Sequence, residues 1–600
     1  MALTMTTDGY HGAYLHIQLD AGTAGGVRFS RIPLEPRVLR DYLGGAGLGA
    51  YLLLQGRSAG VDPLSPEASL GFVFSPLVGS PLTTSAKFAV VGKSPLTDRF
   101  NDSLASSGFA IAGKRCGVDA VMMEGRAAEP SILLIDEGTV RLEPAGDLWG
   151  LSCRETQARL ELRLGKDWRT AVIGPAGERL VRFATISHDG RHAGRGGSGA
   201  VLGSKQIKAI ALRGSQTCRW ADPAGLVAYA KQLSKKSFGP ATEKYRELGT
   251  AANLLLFNRL KTLPTKNFTA GSFAGAEVLS PEALATAREK TRASCAACTI
   301  GCEHLYQLAP HASSGSSAAT SQVRLEYENL FALGPLCGVQ DADAVLRASQ
   351  ACDALGLDTI STGGTIAFAM ECVERGLVDD RWSWLRFGDG EAVLRAIEEI
   401  GQRQGIGSEL AEGSRRLAAR IGQGAAEFAP QVKGLEMPGY EPRGMQTMAL
   451  GFAVGTRGAD HNRSGAYEVD FSARVDRKNL KPADAALAIE TEDKAALMDS
   501  LILCKFLRGV FADFYSDAAE MLQRVTGWDV TAAELRQTAK RIVQAKRQFN
   551  RQAGWTPDED TLPERFFRET LSDDDARLDR QALHAAVKQY HSLRDLEMQP

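Results

Sequence analysis

The sequence predicts an α+β fold, in which an N-terminal β-rich domain is followed by a mainly helical remainder. Two observations predict it. Up to about residue 212, short apolar runs alternate with glycine-rich breaks, whereas after Gly214 apolar residues recur at helical spacing. The length of 600 residues exceeds what one core can organise, and at ~100–200 residues per domain it predicts about three domains.

The expected strands are short runs rich in β-branched and aromatic residues, bounded by Gly, Pro, Asp and Ser. In chain order they are YLHIQL, LGFVF, FAVVG, VDAVMMEG, SILLID, RTAVIG, LVRFATIS and KAIALRG. They all lie between Tyr14 and Gly214, so the sequence predicts an extensive sheet system there.

The expected helices follow in the remainder, where apolar residues repeat every three to four positions. They cover Pro223–Ser234, Pro281–Arg292, Ala342–Leu355, Glu391–Gln404, Ser408–Ile421, Ala485–Leu507, Thr531–Gln552 and Arg580–Arg594.

Two changes in the sequence pattern predict domain boundaries, which give domains at 1–213, 214–423 and 424–600. The first is the loss of strand patterns at Gly214, and the second is the Gly- and Pro-rich stretch PQVKGLEMPGYEPRG after a helix. Between them, the segment His311–Gln322 (HASSGSSAATSQ) offers little apolar surface to bury, which predicts a mobile loop.

Composition excludes several classes of function. The formal net charge is -1, and the 24% of charged residues form no long run of one sign, so neither a nucleic acid nor a membrane partner is expected. The N-terminus has no basic stretch before an apolar segment, and no apolar run approaches ~18 residues. We therefore expect a cytoplasmic protein. Its ten cysteines are too sparse for a disulfide scaffold.

One cysteine cluster stands out, C-x2-C-x3-C in the segment ASCAACTIGCEH, formed by Cys295, Cys298 and Cys302. A [4Fe-4S] cubane is bound by four cysteines, so a distant fourth is expected, and Cys504 in LILCKF is the candidate. Two alternatives stay open: a structural zinc site that uses His304, or three ordinary buried cysteines. The radical S-adenosylmethionine motif runs in the opposite order and does not match.

A glycine-rich stretch, GRGGSGAVLGSK, imitates two nucleotide-binding motifs. No strand–helix unit with an acidic residue ~20 positions on supports a dinucleotide site, and Ser204 separates Gly203 from Lys205, where a P-loop needs them adjacent. The stretch still offers backbone N–H groups and Arg195 to an anionic group of a cofactor. The glycine string Gly44–Gly49 offers N–H groups in the same way.

Taken together, the motifs resemble the tungsten-containing aldehyde:ferredoxin oxidoreductase family over nearly the whole chain. Besides the cysteine triad, the motifs in family order are YLGGAGLGAYLL, FSPLVGSPLTTSAKFAVVGKSPLT, GRGGSGAVLGSKQIKAIA, LEYENLFALGP, DALGLD, PGYEPRGM, RGADHNRS and DSLILCK. Each is weak alone, but their common order makes the resemblance specific.

The resemblance implies that the two mainly α-helical domains and the N-terminal domain enclose a buried tungsten or molybdenum held by two pterins, with the cubane nearby. Each helical domain would supply one pterin loop of the form D-x-x-G-L-[D/C], here Asp353–Asp358 and Asp499–Cys504. A magnesium ion between the pterin phosphates is compatible with this arrangement. The implied cofactor-binding residues are Lys87, Arg195, Gly196, Gly197, Asp353, Leu357, Asp358, Asp499 and Leu503.

Three positions depart from the family pattern. Ile502 replaces the glycine of the second pterin loop, Lys87 stands where arginine is frequent, and Leu104 stands where asparagine is usual. Lysine keeps the charge but loses the bidentate grip on phosphate. An oligomer is compatible with the sequence, although the E-x-x-H iron site found between some family dimers has no match.

By resemblance, the catalytic candidates are Glu326, Glu328 and His461. A glutamate suits a general base for an attacking water, and an imidazole N–H suits polarisation of a carbonyl oxygen. Spacing does not decide between the two glutamates, because residues two positions apart share a face on a strand and diverge on a helix.

Three functions follow from this pattern. The first is oxidation of aldehydes to carboxylates, or the reverse, with ferredoxin or a ferredoxin-like subunit as electron partner. The second is reduction of an aromatic thioester, as in related tungsten subunits that lack the Glu-Tyr-Glu segment. The third is a non-catalytic iron–sulfur electron-transfer subunit.

Overall fold

The computed structural model describes residues 7–20, 22, 25–56, 58–309 and 322–596. The mobile loop predicted for His311–Gln322 therefore lies outside the described residues, apart from Gln322. The chain forms two compact units that are both discontinuous in sequence. The first unit contains Met1–Thr242, Cys295–Ile300 and Asp493–Trp555, and the second contains Glu243–Ser294, Gly301–Glu492 and Thr556–Pro600. The three-domain division stays a prediction.

The first unit begins with a β-rich region. Its strands are β1 (Ala13–Asp20), β2 (Val27–Pro33), β3 (Leu70–Val73), β4 (Lys87–Lys93), β5 (Phe100–Ser106), β6 (Ala120–Arg126), β7 (Ser131–Asp136), β8 (Thr139–Pro144), β9 (Arg169–Val172), β10 (Ile186–His188), β11 (Arg191–Ala193) and β12 (Ile207–Arg213). Its helices up to residue 242 are α1 (Pro36–Tyr42), α2 (Gly45–Gln55), α3 (Gly108–Arg115), α4 (Cys153–Leu164), α5 (Pro175–Glu178), α6 (Ser198–Ser204) and α7 (Pro223–Ser237).

The strands form two six-stranded sheets, in the orders β2-β1-β6-β3-β4-β5 and β11-β10-β9-β12-β7-β8. One core joins side chains of both sheets. In β7, Leu133 and Ile135 enter this shared core, whereas Ile132 and Leu134 enter a second core that contains Leu160 of α4. This alternation follows from the two-residue period of a strand, and it explains why SILLID is apolar throughout.

The second unit is mainly helical. Its elements up to residue 470 are α8 (Glu243–Leu248), α9 (Leu254–Arg259), α10 (Pro281–Ala287), β13 (Lys290–Ala293), β14 (Glu303–Gln307), β15 (Gln322–Arg324), α11 (Tyr327–Leu333), α12 (Ala342–Leu355), α13 (Thr359–Glu374), α14 (Gly390–Gln402), α15 (Gly407–Leu410), α16 (Ser414–Ile421), β16 (Gln431–Val432), β17 (Leu435–Glu436), α17 (Gln446–Val454), α18 (His461–Ser464) and α19 (Tyr467–Asp470).

The remaining elements are all helices. They are α20 (Asp484–Leu501), within which the division between the units falls, α21 (Phe514–Thr526) and α22 (Ala532–Gln552) of the first unit, and α23 (Arg565–Arg568) and α24 (Arg580–Leu596) of the second. None of the described helices carries a stretch long and apolar enough to cross a membrane.

The predicted α+β organisation, with a β-rich N-terminal region before a helical remainder, is confirmed. Several element predictions were wrong in detail. The helix predicted over Pro281–Arg292 ends at Ala287 and gives way to β13, and the helix predicted over Ser408–Ile421 is interrupted before Ser414. The strand β2 was not predicted, because it is mostly exposed and therefore lacks an apolar pattern.

Candidate functional site

The first two cysteines of the triad lie in a loop of the first unit that is anchored to the segment before β4. The N–H of Thr84 donates to the carbonyl of Ala297 at 2.6 Å. The N–H of Thr299 donates to Oγ1 of Thr83 at 3.0 Å. Within the loop, the N–H of Ile300 donates to Sγ of Cys298 at 3.4 Å. An N–H aimed at a cysteine sulfur stabilises the thiolate that a metal cluster requires.

The candidate fourth cysteine meets the same anchor. The N–H of Cys504 donates to Oγ1 of Thr84 at 3.3 Å, so one threonine binds both cysteine segments of this unit. Thr84 has φ of +68° and Ala297 has φ of +50°. Both values lie in the left-handed region that side chains usually avoid, and the chain accepts this strain to hold the two segments.

A lysine lies beside these sulfur atoms. Burial lowers the pKa of Lys87, but negative groups around it have the larger effect, and the net shift is upward. In order of effect these groups are Cys504, Cys295, Cys298 and Asp499. A lysine held in its charged form beside three thiols suits a site for an anionic metal cluster.

The third cysteine of the triad, Cys302, belongs to the second unit and directly precedes β14. His304, the proposed alternative zinc ligand, lies within β14, and its Nε2 is 3.2 Å from the carbonyl of Tyr245. A carbonyl only accepts, so Nε2 carries a proton and is not a metal ligand. Within the described residues, no three His, Cys, Asp or Glu side chains converge closely enough to hold a single ion. The contact with Tyr245 thus leaves only Nδ1 of His304 for a metal.

Five of the other six cysteines are buried, whereas the four candidates and Cys218 are partly exposed. Burial raises the pKa of the thiols of Cys116 and Cys372 to about 12. Burial also raises the pKa of Cys337 and Cys352. These thiols stay protonated and act as small core side chains.

Both predicted pterin loops are helix C-termini closed by the same hydrogen bond. At the end of α12, Gly356 has φ of +77°, and the N–H of Leu357 donates to the carbonyl of Cys352 at 2.9 Å. At the end of α20, Ile502 has φ of +63°, and the N–H of Leu503 donates to the carbonyl of Met498 at 2.9 Å. This is the Schellman motif, with the left-handed residue directly after the helix.

The carboxylates of the two loops have different surroundings. Asp499 is buried, and its Oδ1 lies 2.9 Å from Nζ of Lys505. Asp353 is half-buried and close to Arg324. Burial lowers the pKa of Arg324, but nearby carboxylates, with Asp353 first among them, raise it more. Asp358 caps α13 by accepting the N–H groups of the next turn.

The glycine string Gly44–Gly49 packs tightly in the first unit. A side chain on Gly44 or Gly45 would collide with the backbone of Phe74 or Asp499, respectively. Gly45 therefore brings the first turn of α2 against the second pterin loop. Close packing, rather than anion binding alone, requires glycine here.

The stretch around Arg195 lies at the start of α6. Gly196 and Gly197 have φ of +88° and +79°, and side chains there would collide with Asn101 and with the carbonyl of Arg182. Oγ of Ser103 donates to the carbonyl of Arg195 at 2.6 Å, which fixes this loop against β5.

Lys205, which does not directly follow a glycine as a P-loop lysine must, makes its hydrogen bonds elsewhere. Nζ of Lys205 donates to the carbonyls of Pro66 and Gly125 at 3.2 and 3.3 Å. Burial lowers its pKa to about 8. Its ammonium is thus satisfied by main-chain oxygens.

In the second unit, the structure brings together one of the two glutamates and the histidine. Oε1 of Glu328 lies 3.6 Å from Nε2 of His461. Both side chains are largely buried. Glu326, at the N-terminus of α11, instead accepts a hydrogen bond from Oγ1 of Thr250 at 2.7 Å. The geometry therefore separates two residues that spacing alone could not.

The PGYEPRG motif fixes this pair. The N–H of Gly439 donates to Oε2 of Glu328 at 3.1 Å, and its carbonyl accepts from the hydroxyl of Tyr327 at 2.5 Å. A side chain on Gly439 would collide with the ring of Tyr327. The next residue, Tyr440, stacks on His461 with ring centroids 5.0 Å apart.

The RGADHNRS motif fixes the imidazole from the other side. Oδ1 of Asp460 accepts the N–H groups of Asn462 and Arg463 at 2.8 and 3.0 Å. It thus caps α18 and places His461 at the first helical position. Nδ2 of Asn462 lies 2.9 Å from Nε2 of His461, and this contact orients the ring between the amide and Glu328.

Comparisons with known proteins agree with these motifs. The family model described as "Aldehyde ferredoxin oxidoreductase, N-terminal domain" matches residues 14–214, and the model for domains 2 and 3 matches residues 226–599. The chain belongs to the aldehyde ferredoxin oxidoreductase family. The predicted identity as an oxidoreductase of this family is confirmed.

Relatives share most of the chain. The tungsten-containing aldehyde ferredoxin oxidoreductase of Pyrococcus furiosus is 35% identical over 98% of this chain and 96% of its own length. The aliphatic sulfonate oxidoreductase, WOR-like subunit, of the same organism is 28% identical over 97% of this chain and 94% of its own.

A solved structure shares the fold. The active-site complex BamBC of benzoyl coenzyme A reductase, solved with 1,5-dienoyl-CoA, has a TM-score of 0.81 at 21% identity. The match covers 98% of this chain and 95% of that one.

Several residues of this candidate site were not assigned from the sequence. Thr84, Gly439, Tyr440 and Asn462 all lie inside the motifs quoted above. The first three make their contacts with distant segments, whereas Asn462 contacts the adjacent His461. Asn462 had the clearest available signal, because it directly follows the candidate histidine.

Proposed function

We propose that this protein oxidises aldehydes to carboxylates and passes the electrons singly to ferredoxin or a ferredoxin-like subunit. The observation that carries the proposal is the pair formed by Glu328 and His461, which is fixed by two family motifs. The tungsten-containing relatives support the same reaction at 35% identity. The ten cysteines in 600 residues are too sparse for a disulfide scaffold, which supports a reducing, cytoplasmic setting.

The reaction adds the oxygen of water to the aldehyde and releases two electrons and two protons to give the carboxylic acid, which loses a third proton to become the carboxylate. Glu328 accepts the proton of the attacking water, and its contact with the N–H of Gly439 holds one carboxylate oxygen so that the other is the proton acceptor. The imidazole of His461 donates a hydrogen bond to the carbonyl oxygen, which favours attack on the carbon. Stacking on Tyr440 keeps the imidazole plane fixed during this step.

The electron-handling groups would be held mainly by residues already described. Cys295, Cys298 and Cys504, with Cys302 following in the sequence motif, would hold a [4Fe-4S] cluster. The N–H bond to Cys298 and the charged Lys87 fit such an anionic group. Asp353 and Asp499 would bind the pterins.

Lys87 and the loop Arg195–Gly197 would bind the phosphates of the pterins, together with a magnesium ion. When bound, a tungsten or molybdenum bis-pterin supplies the two-electron oxidation, and the cluster converts it to single-electron transfer.

The two glutamates provide a matched test. Glu328→Gln preserves shape but removes proton acceptance, so aldehyde oxidation should fall by about 10²–10⁴. Iron, tungsten and pterin content should stay at the level of the unsubstituted protein. The control is Glu326→Gln, which should retain turnover. If Glu326→Gln loses activity and Glu328→Gln does not, the assignment of the base is wrong.

Substrate class is tested separately, because relatives with the same fold carry other names. Purified protein should be assayed with an aldehyde, an aliphatic sulfonate and benzoyl-CoA, each with a viologen dye of suitable redox state. Turnover of the aldehyde alone supports the proposal. Turnover of the thioester alone would overturn it, and iron without tungsten or molybdenum would identify an electron-transfer subunit.

A further inference from the structure

An exposed patch with basic and aromatic side chains lies at the C-terminal end of α7. Lys235 and Lys236 occupy its last turn and are exposed, and Phe238, directly after the helix, is 56% exposed. Between Pro223 and Thr242 the chain carries three lysines and no acidic residue. We call Lys235, Lys236 and Phe238 the α7 patch.

The α7 patch is joined directly to the loop of the first two cysteines. Oγ of Ser237, which lies between Lys236 and Phe238, is 2.7 Å from Oγ1 of Thr299. Thr299 is exposed and immediately follows Cys298. Ala297, on the other side of Cys298, is exposed as well. The loop around Cys298 therefore lies next to the α7 patch.

The segment of the fourth cysteine reaches the same end of α7. A Cβ built on Gly509, five residues after Cys504, would lie 3.6 Å from Cβ of Ala241, so the two backbone segments are close neighbours. Two of the cysteine-bearing segments of the first unit thus flank the patch, so a protein seated on it would come close to the proposed cluster.

The simpler explanation of the lysines is stabilisation of the helix C-terminus, where cations are favourable. It does not account for the exposure of Phe238, whose side chain is 56% accessible beside the two cations. Aromatic side chains are enriched at protein interfaces, and charges at the rim of an interface act mainly on the rate of encounter.

We propose that the α7 patch is the docking surface for an acidic one-electron carrier protein, which receives electrons from the cluster held by the adjacent cysteines. This rests on the proposed function. Its lysines complement an acidic partner and speed encounter, and Phe238 supplies an apolar anchor at the centre. Electron transfer requires close approach of donor and acceptor, and the patch provides it at the cysteine loop.

The test uses the holoprotein with Lys235→Glu and Lys236→Glu combined, and a purified acidic [4Fe-4S] ferredoxin as the probe. Binding of the oxidised ferredoxin and kcat/KM for ferredoxin should each fall by about tenfold or more at low salt, and the salt dependence of both should flatten. Phe238→Ala should weaken binding about tenfold without changing the salt dependence. Lys166→Glu, a single charge reversal of the same kind in the turn before β9, should leave both quantities unchanged.

Two further measurements keep the result interpretable. Aldehyde oxidation with benzyl viologen needs no docked protein, so its loss in the unsubstituted holoprotein would overturn the proposed function rather than the docking surface. Should the double variant fold poorly, Lys235→Gln with Lys236→Gln replaces it and should weaken binding in the same direction. Ferredoxin that binds the patch variants as tightly as the unsubstituted protein, or binds neither, overturns the proposal.

Discussion

The loops after α12 and α20 use the same backbone device with different residues. Both close a helix by a hydrogen bond from the second residue beyond it, and both place the residue in between in the left-handed region. That residue is Gly356 in the first loop and Ile502 in the second. The D-x-x-G-L pattern therefore describes a backbone conformation rather than a fixed residue, and glycine is the residue that adopts this conformation with the least strain.

The side chain at Ile502 accounts for the exception. A β-branched residue in the left-handed region costs about 1–2 kcal/mol. Ile502 is fully buried in a core with residues of α2 and α22, and burial of an isoleucine contributes about 1.5–3 kcal/mol. Packing thus offsets the strain, and the loop keeps its shape without glycine.

The largest expected difference between the loops concerns their carboxylates. Asp499→Ala removes the carboxylate that lies 2.9 Å from Nζ of Lys505 in a mostly buried setting, so that the ammonium loses its opposite charge and keeps the carbonyl of Ala495. The free energy of unfolding should therefore fall by about 3–5 kcal/mol. Asp353→Ala removes a half-buried carboxylate and should cost about 1 kcal/mol or less. Urea unfolding of both holoproteins measures the difference, with metal and pterin content determined on the same samples. Equal losses would show that burial does not distinguish the loops.

A smaller effect is expected from restoring the family glycine in the second loop. Ile502→Gly removes a buried side chain, which costs roughly 2–5 kcal/mol in comparable truncations, and regains about 1–2 kcal/mol of strain. We expect a net loss of about 1–3 kcal/mol in urea unfolding. Ile502→Ala serves as the control, because it creates nearly the same cavity and keeps part of the strain. A glycine variant less stable than the alanine variant would contradict the strain argument.

The same two loops show what the sequence could and could not predict. The helix predicted over Ala342–Leu355 ends at the first loop, but the helix predicted over Ala485–Leu507 runs through the second, whereas α20 ends at Leu501. The motif gave the two loops only their common pattern. It did not reveal that Ile502 keeps the glycine conformation, since that depends on a core assembled from α2 and α22. Likewise, short apolar runs bounded by turn residues predicted β7 and β12, but β5 (FNDSLAS) is too polar to be recognised without its partner β4.

The candidate catalytic pair shows the same limit. Glu326 and Glu328 flank the start of α11, and nothing within the Glu-Tyr-Glu segment separates them. Their roles differ because Thr250 takes one carboxylate and Gly439 the other. Both partners are distant in sequence, so only the folded chain makes the distinction.

The smallest expected effect tests the conformation of the first loop. Gly356 has φ of +77° and ψ of +52°, so Gly356→Ala should lower the free energy of unfolding by about 1–2 kcal/mol through backbone strain. Gly146→Ala is the control, because Gly146 has an ordinary φ and open space around it, and alanine there should be neutral or slightly stabilising.

Gly356→Asn separates strain from crowding at this buried position. Asparagine is larger than alanine but tolerates the left-handed region better. If strain dominates, the asparagine variant should unfold at higher urea concentration than the alanine variant. If crowding dominates, the order is reversed, and the glycine of the motif would be required for close packing rather than for its backbone conformation. In that case Gly356 would give no support to the strain assigned to Ile502, since glycine would be required in the first loop for a different reason.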